Sequence, residues 1–211
     1  MTLSDIISWI NFLVLNLSVI FTFLFYILSV IPIAREERIG QKSWKLTNNY
    51  RILSDCLFLI LILTILLWIW FPILPLNWKI LENILILIII SIFLAIPCFY
   101  ILIRALKDAG LETLETSKET QMYGGIYEYI RHPQILGSIL LFIILCVILN
   151  SLFLLIWISA LMILITPIVI FFEEKDLIKR FGENYINYKK STGALIPKLW
   201  KKKWIRRSNK K

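Results

Sequence analysis

The sequence predicts an all-α polytopic membrane bundle: about five transmembrane helices, amino terminus outside and carboxyl terminus inside, with an amphipathic helix on the cytoplasmic face. Three observations predict it. Hydrophobic residues make up 59% of the 211 and mean hydropathy is +0.79, more apolar matter than a water-soluble domain of this size can cover. Several apolar runs reach the roughly 18 residues that cross the hydrocarbon of a bilayer. Lysine and arginine gather in alternate connections, as they do where loops face the cytoplasm.

The elements follow in order. The first apolar run, 6–33, has no basic residues before it and is too long for a cleaved signal peptide, so it is expected to remain as the first span. A basic loop comes next, with Arg35, Arg38, Lys42, Lys45 and Arg51. The second run, 52–74, closes at Pro72 and Pro75, and the connection after it carries only Lys79. The third, 80–103, contains Pro97, whose ring removes a backbone donor and predicts a bend. Arg104, Lys107, Lys118 and Arg131 mark the following loop as cytoplasmic. The fourth run, 133–149, opens on Pro133, a residue suited to a first helical turn. Asn150-Ser151 then turns the chain, without a basic residue, into the fifth run, 152–172.

Two regions result. Residues 1–104 supply three membrane helices, and residues 105–211 supply a loop, a hairpin, an amphipathic helix and a basic tail. The net charge of +9 comes largely from that tail. Beside a membrane segment, and with Trp200 and Trp204 among its lysines, the tail reads as a contact for anionic lipid rather than nucleic acid. Cys56, Cys98 and Cys146 lie in apolar runs without a CxxC pair, and one histidine cannot build a His-rich centre, so no metal site is expected. No internal repeat is visible and no charge sits mid-span, which argues against a transporter.

The single histidine lies in "YIRHPQILG". From the Asn150-Ser151 turn, His132 is about 18 residues back and Glu173 about 22 forward, or roughly 27 and 33 Å at 1.5 Å per residue. Neighbouring helices pack about 8–10 Å apart. Arg131, His132, Glu173 and Glu174 are therefore expected around one small space at the membrane surface. The fourth run, at roughly 25 Å against about 30 Å of hydrocarbon, sinks its first turn below the headgroups. Its N–H groups, with Arg131 and His132, favour an anion, and Glu173 opposite favours a cation. A zwitterionic amino acid needs both. Downstream, Leu177, Ile178, Phe181, Tyr185 and Tyr188 form a stripe expected to lie on the membrane as a helix and roof the recess.

"GGIYEYIRHPQILG", one hydrophobic hairpin and "EEKDLIKRFGENYINYKK" together resemble the integral-membrane methyltransferases related to isoprenylcysteine carboxyl methyltransferase and the phospholipid N-methyltransferases. The resemblance covers roughly residues 119–197. It implies S-adenosylmethionine as methyl donor, held by Thr120, Gln121, Met122 and Tyr127, by His132, Pro133, Gln134 and Ile135, and by Glu173. Arg131 and Glu174 are the expected catalytic residues, Glu174 pointing away from Glu173 because adjacent helical residues diverge by about 100°. Two positions depart from the family pattern. Ile135 stands where a tyrosine is usual, and Val169 stands where the prenylcysteine enzymes carry an arginine for the substrate carboxylate. The acceptor, a lipophilic molecule entering from the bilayer, is left open among carboxylate, thiol, amine and isoprenoid hydroxyl. Two other readings remain at this stage: an NADPH-dependent sterol or enone reductase, suggested by the Arg-His-Pro element and "TGALIP", and a lipid-binding scaffold without an enzymatic role.

Overall fold

The computed structural model describes residues 2–110 and 124–198, and every regular element among them is helical. Helix α1 (Leu3–Ser29) starts with a reciprocal cap: the Thr2 hydroxyl accepts from the Asp5 N–H, and the Asp5 carboxylate accepts from the Thr2 N–H at 2.7 Å. Helix α2 (Pro32–Ile39) and helix α3 (Lys42–Leu67) meet at Gly40, whose φ of 64° suits a residue without Cβ. The basic loop expected here is thus mostly helical. Hydropathy marks where a helix enters hydrocarbon, not where its hydrogen bonding begins, and Arg51 in consequence belongs to α3.

Helix α4 (Ile84–Ala109) opens on Asn83, whose carboxamide oxygen accepts from the Leu85 and Ile86 N–H groups. It continues through Pro97 and past the expected end at Ile103. Residues 125–128 make one turn of 3-10 helix, followed by α5 (Pro133–Ile148) and α6 (Leu152–Phe181). The separate amphipathic helix expected from residue 173 is corrected. Helix α6 runs straight past the acidic pair to Phe181, and Gly182 at φ 59° breaks the chain before α7 (Glu183–Ser191). Leu177, Ile178 and Phe181 therefore belong to α6, and only Tyr185 and Tyr188 to α7. A stripe at three-to-four spacing does not register a break that one left-handed glycine introduces.

Helices α1, α3, α4 and α6 are long and apolar enough to cross a membrane, and α5 is apolar but 16 residues long. The α1–α3 contact is joined by small polar groups: Asn11 donates to the Thr64 carbonyl at 3.0 Å, and Ser54 to the Thr22 carbonyl at 3.1 Å. Leu15, Leu61, Phe142, Leu154 and Ile158 make a core shared by α1, α3, α5 and α6. Helix α4 lies close on α5 at Gly137, where a Cβ would sit 2.4 Å from the Leu102 side chain. The hairpin tip is tied down by the Asn150 carboxamide, which accepts from the Ile80 and Leu81 N–H groups and donates to the Leu81 carbonyl.

Candidate functional site

His132 occupies the cap position of α5, but its side chain makes no capping hydrogen bond. The imidazole lies between two carboxylates instead: Nδ1 is 3.1 Å from Glu173 Oε2, and Nε2 is 3.2 Å from Glu174 Oε1. A neutral imidazole has one N–H, so both contacts are favourable only for the imidazolium form. Burial works against that charge, but Glu173 and Glu174 outweigh it and raise the His132 pKa to about 9. His132 is thus a charged group at neutral pH rather than a base.

Glu174 is saturated. Arg131 reaches its Oε1 with Nε at 2.8 Å and Nη2 at 2.7 Å, and Lys189 Nζ lies 2.5 Å from Oε2. The Arg131 and Glu174 side chains are only 8% and 5% exposed, so this is a pair withdrawn from solvent. Arg131 also donates through Nη1 to the carbonyls of Lys189 and Thr192. The chain leaving α7 turns back over these residues. Arg131 N–H donates to the Gly193 carbonyl at 2.9 Å and His132 N–H to the Ala194 carbonyl at 3.0 Å. Gly193 is required there, because a Cβ would fall 1.8 Å from the Ile196 carbonyl oxygen.

Upstream, Gly125 has φ 63°, and a Cβ on it would meet the Asp108 carboxylate at 2.2 Å. That carboxylate accepts from the Ile126 N–H at 2.7 Å, fixing the turn that delivers Tyr127. The buried Tyr127 donates its hydroxyl to the Ala105 carbonyl at 3.4 Å, and its own carbonyl accepts from the Tyr188 hydroxyl. Burial, reinforced by Glu173, pushes the Tyr127 hydroxyl far above the ordinary phenol range.

These groups line an open recess with an interior volume of about 100 Å³. Tyr127, Arg131, His132 and Glu173 line it, as do Pro133, Gln134 and Ile135 at the start of α5. Glu174 lies behind this wall and faces a different surface, with Lys175 and Lys189. Thr120, Gln121 and Met122 fall outside the described residues. Four polar lining residues were not placed at the site from sequence: Tyr26 of α1, Arg51 of α3, and Asp176 and Arg180 of α6. The last two were discoverable, since they follow Glu173 by three and seven positions on one helical face. Tyr26 and Arg51 arrive by tertiary packing and leave no local signal. Asp176 accepts from the Ile33 and Ala34 N–H groups at 3.3 and 2.9 Å, which anchors α2 beside the recess.

Buried lining atoms without an aligned hydrogen-bond partner include the Tyr185 hydroxyl and Glu173 Oε2, which His132 Nδ1 approaches off the hydrogen-bonding direction. Acidic and phenolic groups on one wall suit a cation carried beside an aromatic or apolar body. Arg51 and the first-turn N–H groups of α5 suit an anion.

Fold and site together define a helical membrane protein with a charged ligand recess at one end of its last hairpin. Residues 83–184, which contain α4, the turn at Tyr127 and the whole hairpin, match the phospholipid methyltransferase family. That segment is a phospholipid methyltransferase domain, of the family of membrane methyltransferases that comprises the isoprenylcysteine carboxyl and phospholipid enzymes. No curated protein matches it.

Proposed function

We propose that the chain is an S-adenosylmethionine-dependent methyltransferase that binds its methyl donor in the recess and methylates a lipophilic acceptor entering from the bilayer. In this reading α5 is a fifth, short span, the amino terminus is outside, and the recess faces the cytoplasm. The alternation of basic and neutral connections supports that orientation.

The observation that carries the proposal is the pair of buried atoms Glu173 Oε2 and the Tyr185 hydroxyl oxygen, both on residues of the recess wall and both without aligned partners. Such groups fit a donor bearing a cationic sulfonium and an amino acid end. When bound, that donor supplies an electrophilic methyl group whose transfer neutralises charge. Glu173 holds the cationic end, and the first turn of α5 with Arg51 holds the carboxylate end. His132, charged by its two glutamates, fixes the Glu173 rotamer. Arg131 and Glu174, the residues expected from sequence to be catalytic, act as positioning residues, because their polar atoms are engaged with each other and with Lys189 and the 192–194 strap. Water exclusion falls to Tyr185 and Tyr188 of α7. With His132 protonated and Glu174 saturated, neither serves as a proton acceptor, which favours an acceptor that is already an anion over an amine or hydroxyl.

Binding of S-adenosylhomocysteine to purified protein in detergent tests this. Glu173→Ala and His132→Ala are expected to weaken it at least tenfold while the protein stays monodisperse. Unchanged affinity in both, or stabilisation by NADPH instead, overturns the proposal.

A further inference from the structure

On the far side of Glu174 from the recess, α6, α7 and the segment after it border an open groove of about 800 Å³. Its wall changes character along α6. Pro167, Ile170 and Phe171 come first and Lys175 and Lys179 follow, with Lys189 of α7 closing the side. Pro167, Phe171, Lys175 and Lys179 recur at every fourth residue and so share one helical face. Counted from Leu152 at the hairpin tip, about 20 residues at 1.5 Å cross the roughly 30 Å of hydrocarbon, which sets Phe171 at the boundary. The apolar part of the groove therefore lies at the depth of acyl chains and its lysines at the depth of headgroups.

The charges of the groove are not balanced within the protein. Lys179 is paired with Glu37 at 2.7 Å. Lys189 Nζ lies 2.5 Å from Glu174 Oε2, but that carboxylate already takes Arg131 on Oε1, so two cations share one anion. Lys175 is exposed and 6.0 Å from the centre of the Phe171 ring, and among the described residues no carboxylate comes within ion-pair distance of it. Positive charge is thus left over at Lys175 and Lys189, directly above an apolar trough. A phosphodiester carried on acyl chains is complementary to both halves, whereas a headgroup with its own ammonium brings like charge to the lysines. Residues 201–211 of the chain itself do not suit the groove, since they contain seven lysines and arginines and no acid.

We propose that the groove binds one anionic phospholipid of the leaflet on the recess side, its phosphate between Lys175 and Lys189 and an acyl chain along Pro167, Ile170 and Phe171. This lipid is distinct from the methyl acceptor. It sits behind Glu174, on the face of α6 turned away from the recess, and its binding does not depend on the methyltransferase reading. Because Lys175 belongs to α6 and Lys189 to α7, the phosphate joins the two helices across the break at Gly182.

The full chain in a neutral detergent is titrated with radiolabelled phosphatidylglycerol, with phosphatidylcholine and inorganic phosphate as competitors. Saturable binding is expected, displaced by unlabelled phosphatidylglycerol and by neither competitor at the same concentration. Lys175→Gln should weaken it about fivefold, the worth of one lysine beside an anionic lipid, and Lys175→Arg should keep it. Lys175 is exposed and its removal strands no carboxylate, so this variant folds as the wild type does. Ile170→Trp, which fills the apolar part, should also weaken binding. Lys107→Gln, at an exposed charge in the last turn of α4, and Glu173→Ala, in the recess, should leave it unchanged. Five results overturn the proposal: no saturable binding, equal displacement by either competitor, wild-type affinity in Lys175→Gln or Ile170→Trp, an equal loss in Lys107→Gln, or a loss in Glu173→Ala, which would move the lipid into the recess.

Discussion

The α1–α3 pair and the α5–α6 hairpin are both antiparallel helix contacts in a membrane bundle, yet they are joined by different means. Between α1 and α3, buried Ser18, Thr22, Thr47, Ser54 and Thr64 let the backbones approach, and single side-chain-to-carbonyl bonds join them. The hairpin packs apolar residues along its length and concentrates its polarity at one end, where Arg131 and His132 pair with Glu174 and the imidazole also lies within ion-pair distance of Glu173. Distributed weak contacts make a wall that tolerates change. A concentrated ionic cluster makes a site in which removing one member strands the rest.

That contrast is open to breaking. The largest effect is expected for Arg131→Leu, which deprives a buried carboxylate of its main partner: about 3–4 kcal/mol of stability should be lost, read from thermal unfolding in detergent. Next comes pH. The folded His132 value of about 9 lies above the 6.5 of an unperturbed imidazole, so its stabilisation is complete below about pH 6.5 and disappears as pH rises through about 9. The midpoint of wild type should therefore fall across that window by up to about 3 kcal/mol in stability relative to His132→Asn, whose profile should be flatter. Gly193→Ala, which drives a methyl group into the Ile196 carbonyl, should cost about 2 kcal/mol and weaken S-adenosylhomocysteine binding by displacing the strap. The smallest effect is expected in the other region: Asn11→Leu should cost about 0.6 kcal/mol, the usual worth of one interhelical hydrogen bond in a membrane. A cost for Asn11→Leu as large as that for Arg131→Leu would erase the distinction.

The hairpin was legible because its signals are one-dimensional. Pro133 and the Asn150-Ser151 turn fix its ends, and counting residues from the turn brings His132 level with Glu173. The divergence of Glu173 from Glu174 follows from helical pitch alone. Features that depend on a third dimension were not legible. Nothing near Tyr26 or Arg51 announces that both reach the recess, because their arrival depends on how α1 and α3 lean on the hairpin. The break at Gly182 was hidden beneath an unbroken apolar stripe. The pairing of Ile130 with Gly193 is a single bridge, too short to write a period into the sequence.

That bridge has a consequence for how the protein is made. The carbonyls of Thr192, Gly193 and Ala194 hold Arg131 and His132 in place, so residues separated by about sixty positions must meet before the recess exists. Synthesis runs from the amino terminus, and both arms of the hairpin emerge before the strap that completes its open end. The recess is thus completed late, after the helices are already in the bilayer, and a nascent chain halted short of residue 192 would be a membrane-embedded bundle with that end still unstrapped.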